Sequence, residues 1–138
     1  MADILIIHGP NLNHLGQREP EIYGLEGFEQ VLAKLKSEYP QHKINYRHSN
    51  IEGELIDYLH EFGFKVDGII LNAGAYAHTS IGIGDAVRSI DAPVIEVHIS
   101  NTFAREQFRH ESHIAPHATG VIIGFGIQGY RLALNYYK

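Results

Sequence analysis

Short apolar runs alternate along the chain with patterns that are typical of helices. Each run is four to six residues long and is bounded by glycine or polar residues. We predict β-strands over residues 4–7, 43–48, 68–71, 93–97 and 120–123. Runs such as Ile69-Ile70-Leu71 are apolar at successive positions. This pattern is typical of strands in a parallel sheet that is covered on both faces.

Between these runs, apolar residues recur at the helical spacing i, i+3, i+4, i+7, as they do from Phe28 to Leu35. Helices are predicted over about residues 25–39, 50–62, 80–89, 102–109 and 128–137. Ser49 and Glu52 have the spacing of a capping box for the second of them. The alternation of strands and helices predicts one α/β domain over residues 1–138, a flavodoxin-like doubly wound sandwich with a five-stranded parallel sheet.

This fold predicts where a ligand binds, because open parallel sheets bind ligands beyond the carboxyl ends of their strands. The loops at those ends cover residues 8–23, 72–80, 98–109 and 124–129. The first three are unusually rich in Asn, Arg, His and Tyr. Polar residues are common in any loop, but three such loops at one edge of a sheet favour a functional site there.

Composition and charge exclude several classes of protein. With 138 residues the chain suits a single domain, and with no cysteine it has neither disulfides nor thiolate metal sites. A net charge of −5 argues against nucleic acid as the main partner. No apolar run approaches the roughly 20 residues that span a bilayer, and the first residues lack the pattern of a signal peptide. We therefore expect a cytoplasmic protein with no membrane partner.

The segment Glu96-Val-His98-Ile-Ser100 combines three polar side chains at alternate positions of a predicted strand end. Period-two alternation puts Glu96, His98 and Ser100 on the same side. The carboxylate can accept one ring N–H of the histidine and leave the other nitrogen for acid or base catalysis. The backbone N–H groups of Ile99 and Ser100 can bind an anion. A purely structural polar cluster explains the segment equally well.

The loop over residues 9–24 is longer than an ordinary strand-to-helix connection, which suggests a functional lid or a disordered flap. It contains Arg18 and Tyr23. A tyrosine normally ionises near pH 10, but adjacent guanidinium groups favour tyrosinate and can make it a base at neutral pH. Arg105 and Arg109, four residues apart, can supply such a field or pair with an anionic substrate.

In two further motifs a structural role is favoured over ligand binding. Gly124-Phe-Gly126-Ile-Gln-Gly129 has the spacing of a dinucleotide fingerprint, but neither a further strand nor an acidic residue follows it at the required distance. We expect these glycines to form a tight turn and to allow close packing of helix on sheet. His110, His113 and His117 have a spacing compatible with metal binding, but Pro116 interrupts any helix there, and surface histidines are favoured.

Taken together, these segments closely resemble the type II dehydroquinase family. The matching segments follow one another over essentially the whole chain. They are Gly9-Pro-Asn-Leu-Asn13, Arg18-Glu-Pro-Glu-Ile-Tyr-Gly24, Ser49-Asn50 with Glu52-Gly-Glu-Leu-Ile56, Asn72-Ala-Gly-Ala-Tyr-Ala-His-Thr-Ser80, Glu96-Val-His-Ile-Ser-Asn101, Ala104-Arg-Glu-Gln-Phe-Arg109 and Ala118-Thr-Gly-Val121.

The resemblance implies a trans dehydration of 3-dehydroquinate to 3-dehydroshikimate through an enolate, in the shikimate pathway of aromatic amino-acid biosynthesis. It implies that no metal and no organic cofactor takes part. By the same resemblance, Tyr23 is the base that takes the C2 proton, and Arg18 is the lid residue that stabilises the tyrosinate. His98 is the acid that protonates the leaving hydroxyl, Glu96 orients it, and Asn11 assists at the enolate.

The resemblance also implies a set of binding residues and an assembly. The expected substrate-binding residues are Asn72, His78, Asp85 and Arg109, together with the backbone N–H groups of Ile99 and Ser100. Members of the family are dodecamers, built as a tetramer of trimers, in which Asp85 typically reaches the site of a neighbouring subunit. The expected partners are therefore a small anionic substrate and further copies of the chain.

The chain departs from the family pattern at a few positions. Gly82 and Gly84 stand where Ala and Arg are more frequent, which puts contacts between subunits near Asp85 in question. Ala73 replaces a frequent Pro and His48 a frequent Gln. None of these positions is the expected base or acid.

Three alternatives compete with this interpretation. A flavodoxin-like ligand-binding or signalling module without catalysis is the main alternative, but a phospho-receiver needs acidic residues where His8, Asn11 and Asn72 stand. A metal hydrolase using the histidine cluster is another. Schiff-base chemistry is disfavoured because all five lysines lie outside the loops at the strand ends.

Overall fold

The computed structural model of the protein describes residues 1–14 and 27–137. Within these residues, five parallel strands form one sheet with the order β2-β1-β3-β4-β5. The strands are Ala2–His8 (β1), His42–His48 (β2), Gly68–Asn72 (β3), Val94–His98 (β4) and Gly120–Ile123 (β5). This strand order is that of the flavodoxin-like fold, so the predicted fold class is confirmed.

Helices cover both faces of the sheet. In the described part of the chain the α-helices are Phe28–Glu38 (α1), Glu52–Phe62 (α2), Ile81–Ser89 (α3) and Gln128–Tyr136 (α4). The core on one face contains Ile4 and Ile6 with residues of α1 and α4, and the core on the other contains Leu5 and Ile7 with residues of α2 and α3. Successive residues of β1 thus face opposite cores, which explains its continuous apolar run. None of these described helices has the length and apolarity needed to cross a membrane.

Short 3₁₀ helices occupy several of the connections. They are Leu12–His14, Gly74–His78, Thr102–Ala104, Gln107–His110 and Ala115–His117. The continuous helix predicted over residues 102–109 was wrong, because Arg105 and Glu106 are extended between two of these turns. Phe103 and Phe108 are both exposed there. The segment therefore has no apolar stripe to bury, and such a stripe is what stabilises most helices in proteins.

The capping box predicted at Ser49 and Glu52 was also wrong. Helix α2 begins after Ile51, which offers no side-chain cap. The Ser49 hydroxyl instead accepts the Ile51 N–H at 2.9 Å and donates to Glu54 at 2.6 Å. This local turn delays the helix, since a serine oxygen competes with backbone carbonyls for N–H groups. Helix α3, by contrast, is capped by Ser80, whose hydroxyl oxygen accepts the Ile83 N–H at 2.9 Å.

Glycines allow the backbone to pack closely in two places, at the turn before α4 and along α3. Gly124 and Gly126 have φ angles of 90° and 59°, and a Cβ on Gly129 would lie 3.3 Å from Val97. The turn and close packing predicted for this motif are thereby confirmed. A Cβ on Gly84 would lie 2.3 Å from the carbonyl oxygen of His113. Helix α3 can approach the backbone there only because residue 84 has no side chain.

Candidate active site

A cleft opens at the carboxyl ends of β1, β3 and β4, at the edge of the sheet that the sequence predicted. The described residues give it a volume of about 130 Å³. Its lining residues are Pro10, Asn11, Leu12, His14, Asn72, Gly74, Ala75, His78, His98, Ile99, Ser100, Thr102, Arg105 and Arg109. All of them belong to the ends of these three strands or to the loops that follow, so the topology brings the polar loops together.

A buried acid–histidine pair stands at the end of β4. His98 Nε2 lies 2.5 Å from Glu96 Oε2, and the Glu96 side chain is fully buried. The carboxylate accepts the Nε2 proton, which leaves Nδ1 as the nitrogen that can exchange a proton with a ligand. The carboxylate also fixes the orientation of the imidazole ring. The pair predicted from the alternation of β4 is therefore formed.

Ser112 completes this pair, and sequence reasoning missed it. Its oxygen accepts the N–H groups of Ile114 and Ala115, each at 3.1 Å. Its hydroxyl proton is then directed to Glu96, whose two carboxylate oxygens lie 3.0 and 2.8 Å away. Ser112 follows Glu96 by 16 residues and does not line the cleft, so no local pattern reveals the contact.

His78 lies beside His98, with the two rings stacked at 5.7 Å between centroids. Its Nδ1 donates to the backbone oxygen of Glu111 at 2.7 Å. Burial lowers the pKa of His78, an effect that the neighbouring His98 and Arg109 reinforce and that the Glu111 carbonyl and the Glu96 carboxylate oppose. A neutral His78 presents Nε2 as a hydrogen-bond acceptor toward the cleft.

Two arginines give one wall of the cleft a positive charge. Arg105 Nη1 donates to Ser100 Oγ at 3.1 Å, and Arg109 Nε donates to Glu106 at 3.0 Å. The hydrogen bond from Arg109 lowers the pKa of the exposed Glu106 carboxyl. Both guanidinium groups lie on the lining of the cleft, where they favour an anionic ligand.

Two asparagines complete the polar lining. Asn11 has a φ angle of 70°, and its N–H donates to Asn50 Oδ1 at 2.9 Å. Asn72, at the end of β3, accepts the Gly74 N–H with Oδ1 at 3.1 Å and donates from Nδ2 to the Tyr130 hydroxyl at 3.1 Å. These bonds hold the backbone of Asn11 and the side-chain amide of Asn72.

Comparison with known proteins assigns this arrangement to a family. The family model described as "Dehydroquinase class II" matches residues 2–138. The chain belongs to the class II dehydroquinase family. It is 53% identical over 133 residues to a 3-dehydroquinate dehydratase of Exiguobacterium sp., covering 96% of this chain and 91% of that relative. A 3-dehydroquinate dehydratase of Bacillus licheniformis is 52% identical over 140 residues, covering 99% and 96%.

Solved structures of the same family share the fold. The type II dehydroquinase from Butyrivibrio crossotus is 42% identical with a TM-score of 0.94, covering 98% of this chain and 96% of that one. The enzyme from Propionibacterium acnes is 38% identical with a TM-score of 0.91, covering 99% and 95%. Membership of the class II dehydroquinase family makes the chain a hydro-lyase rather than a binding module without catalysis.

The structure brings together most of the residues predicted for a class II dehydroquinase site. Asn11, Asn72, His78, His98, Ile99, Ser100 and Arg109 all line the cleft. The predicted base, Tyr23, and the predicted lid residue, Arg18, lie outside the described residues. Asp85 is exposed on α3 and does not line the cleft of its own chain. His14 and Thr102 line the cleft but were not predicted, since neither belongs to a motif that suggests chemistry.

His110, His113 and His117, whose spacing is compatible with metal binding, all lie between β4 and β5 but do not share one helical turn. His110 ends one 3₁₀ turn, His113 precedes the next, and His117 ends it. Within residues 1–14 and 27–137, no three His, Asp or Glu side chains are grouped so that they could hold a metal ion.

Proposed function

We propose that this protein removes water from 3-dehydroquinate by trans elimination and releases 3-dehydroshikimate, through an enolate and in the shikimate pathway. The observation that carries the proposal is the buried Glu96–His98 pair in a cleft whose wall carries Arg105 and Arg109. The substrate is a carboxylate with a ketone and several hydroxyl groups. Its anion suits the arginines, and its poor leaving group needs an acid such as His98.

The first half of the reaction takes a proton from carbon. Tyr23, as tyrosinate, removes the C2 proton, and the C–H electron pair moves into the adjacent carbonyl to form the enolate. Arg18 stabilises the tyrosinate, and Asn11 assists at the developing negative charge. Hydrogen-bond donors aimed at an oxyanion are among the largest contributions to catalysis of this type. The position of Asn11 in the cleft lining supports its part in this step.

The second half expels the C1 hydroxyl. The enolate electrons re-form the ketone and a C=C bond, the C1–O bond breaks, and His98 gives its Nδ1 proton so that water leaves. Glu96 holds the ring by Nε2 and balances the positive charge before transfer. The proton on Tyr23 then returns to His98 through solvent, which restores both groups for another turnover.

The decisive experiment replaces the proposed base. Tyr23→Phe deletes one hydroxyl and is expected to lower kcat by about 10³-fold or more, since proton transfer by a positioned group contributes roughly 10² to 10⁴. The formation of the conjugated enone, followed by its ultraviolet absorption, measures the rate. Tyr58→Phe is the control, because Tyr58 lies on α2 and is not in the cleft lining. Full activity of Tyr23→Phe would refute the mechanism.

We infer that the chain works in the cytoplasm as a homo-oligomer, the dodecamer that the resemblance implies. Two observations support an assembly. Asp85 is exposed and does not line the cleft of its own chain, which suits a role in the site of a neighbour. Phe103 and Phe125 are exposed by 60% and 62%, and exposed aromatic side chains favour burial between subunits.

A further inference from the structure

A chain of buried polar side chains lies beneath the cleft and is not used by the proposed reaction. His8, at the end of β1, is completely buried between two tyrosines. Its Nε2 lies 2.7 Å from the Tyr130 hydroxyl, and its Nδ1 lies 3.0 Å from the Tyr46 hydroxyl. Tyr130, also completely buried, in turn meets the side chain of Asn72. His8 and Asn72 are paired residues in neighbouring strands, so the network begins directly under the cleft.

The direction of each hydrogen bond follows from groups that can only donate. The Gly74 N–H is such a donor, so the atom of Asn72 that faces it at 3.1 Å is the oxygen. The amide nitrogen therefore faces Tyr130, and it too can only donate. One N–H of that nitrogen is donated to Tyr130, and the second meets no acceptor within the part of the chain that the structure describes. Because Asn72 lines the cleft, that second N–H is available to a ligand.

The donor and acceptor of each remaining hydrogen bond follow in the same way. The Tyr130 oxygen accepts from Asn72, and the acceptor that the described residues offer to its own proton is His8 Nε2. Burial lowers the pKa of His8 to about 3, so the ring is neutral and carries its proton on Nδ1. That proton is donated to the Tyr46 oxygen. The bonds thus run in one direction, from Asn72 through Tyr130 and His8 to Tyr46.

We propose that Tyr130 is a positioning residue for substrate binding: supported by His8, it holds the nitrogen side of the Asn72 amide while the Gly74 N–H holds the oxygen side, so that the cleft presents an N–H donor there. A rotated amide would present a carbonyl and would repel a ligand oxygen. This inference rests on the proposed function in one respect, namely that Asn72 contacts the substrate. The N–H donor that Asn72 presents is specific for a hydroxyl or carbonyl oxygen of the bound ring.

The test compares two buried tyrosines of the carboxyl-terminal segment. Tyr130→Phe removes the acceptor for Asn72 and is expected to raise KM, and the Kd of the product 3-dehydroshikimate, by about tenfold, the effect of one net hydrogen bond. Asn72 contacts the ligand before and during the reaction, so kcat is expected to change by less than about threefold. Tyr137→Phe is the control, because the Tyr137 hydroxyl lies within hydrogen-bond distance of the backbone oxygens of Ile69 and Pro93, and Tyr137 does not line the cleft that the described residues form.

The outcomes separate this inference from the proposed function. A wild-type protein without dehydratase activity would defeat the proposed function. An active wild type in which Tyr130→Phe changes KM and product Kd no more than Tyr137→Phe would overturn the inference alone. A loss of stability shared by both variants, without a difference in KM, would likewise identify Tyr130 as merely structural.

A second measurement is made on the wild-type protein and reads the protonation of the His8 ring directly. Nitrogen-15 NMR of the histidine rings distinguishes the two neutral tautomers, and the signal absent from His8→Gln identifies His8. The inference requires a neutral ring with its proton on Nδ1 between pH 5 and 7. A proton on Nε2 would reverse the bond to Tyr130 and overturn the proposed lock.

Discussion

Ser112 shows how a residue outside the cleft can govern a group inside it. Its oxygen is occupied by two backbone N–H groups, so its single proton is committed to Glu96. Hydrogen bonds to a charged group contribute about 1.5–3 kcal/mol, more than those between neutral groups. Without this donor, the buried carboxylate that holds His98 is less well stabilised and less well oriented. We therefore regard Ser112 as a positioning residue for the proposed acid.

Removal of the Ser112 hydroxyl is therefore expected to slow catalysis without weakening substrate binding. Ser112→Ala is expected to lower kcat by about tenfold or more while KM stays within about twofold, because the lost interaction acts on the acid and not on substrate binding. Steady-state kinetics measure both constants. Ser89→Ala is the control, since the Ser89 hydroxyl donates to the Ala86 carbonyl within α3. Equal kcat values for the two variants would show that Glu96 does not depend on Ser112.

His8 provides a prediction about stability and pH. Its pKa is lowered to about 3 by burial and, secondarily, by the charge of His48. Below about pH 6.5 the unfolded chain binds a proton at this residue, but the folded protein does not until the pH nears 3. The unfolded state then binds more protons, so stability falls as the pH falls through this window. The stabilising contribution is fully present above about pH 6.5.

Between pH 6 and pH 5, His8 is expected to remove about 1 kcal/mol from the free energy of unfolding. Urea unfolding of the wild type and of His8→Gln, at one fixed protein concentration, measures this slope. The glutamine side chain does not titrate, so the variant is expected to lose about 1 kcal/mol less over the same interval, whatever its absolute stability. Parallel slopes for the two proteins would contradict a neutral, buried His8. The other histidines contribute equally to the pH dependence of unfolding in both proteins, so their contributions cancel in the comparison.

At the scale of elements, the sequence predicted structure wherever an element has an apolar surface to bury. All five strands were located because their aliphatic side chains face one of the two cores. Helices α1 and α2 were found by their apolar spacing. The prediction of a helix over residues 102–109 failed because the phenylalanines of this segment are exposed and polar residues bond within the loop. The predicted start of α2 was wrong because a serine at position 49 can either cap a helix or form a local turn, and the sequence does not distinguish the two.

The uncapped start of α2 yields a prediction. Ile51 is extended at the N-cap position, is 60% exposed and makes no capping bond. Ile51→Ser is expected to stabilise the protein by about 0.5–1 kcal/mol, because a serine oxygen can accept an unpaired N–H of the first turn. Urea unfolding measures the gain.

The matched control is Ile81→Ser at the start of α3. Ile81 is similarly exposed, by 65%, but Ser80 already caps that helix. A serine at position 81 is therefore expected to give no gain. An equal gain in both variants would mean that the effect comes from removing an exposed apolar side chain and not from capping.

At the scale of the whole molecule, the candidate site divides into parts that a sequence can and cannot reveal. The topology of a parallel sheet brings its carboxyl ends together, and this alone placed Asn72 and His98 in one cleft. Local alternation in β4 predicted the pair of Glu96 and His98. The support for these residues comes from Ser112 and Tyr130, which reach the site through tertiary packing. No short-range pattern marks such contacts, since they depend on how α4 and the loop after β4 fold back on the sheet.

The last prediction concerns a site shared between subunits. We expect Asp85, which lies away from its own cleft, to complete the cleft of a neighbour in the assembly. Asp85→Asn and Tyr23→Phe are then each expected to be nearly inactive alone. In a hybrid assembly, a subunit with intact Tyr23 can receive intact Asp85 from its neighbour, so activity should return.

The experiment refolds the two variants together from denaturant at equal concentrations, and native mass spectrometry verifies that hybrids form. With random mixing, half of the subunits keep Tyr23, and half of their neighbours keep Asp85, which gives about a quarter of wild-type activity in a symmetric assembly. Each variant refolded alone is the control. Hybrids that stay inactive would show that Asp85 does not act across the interface, because no subunit then gains from its neighbour the carboxylate that it lacks.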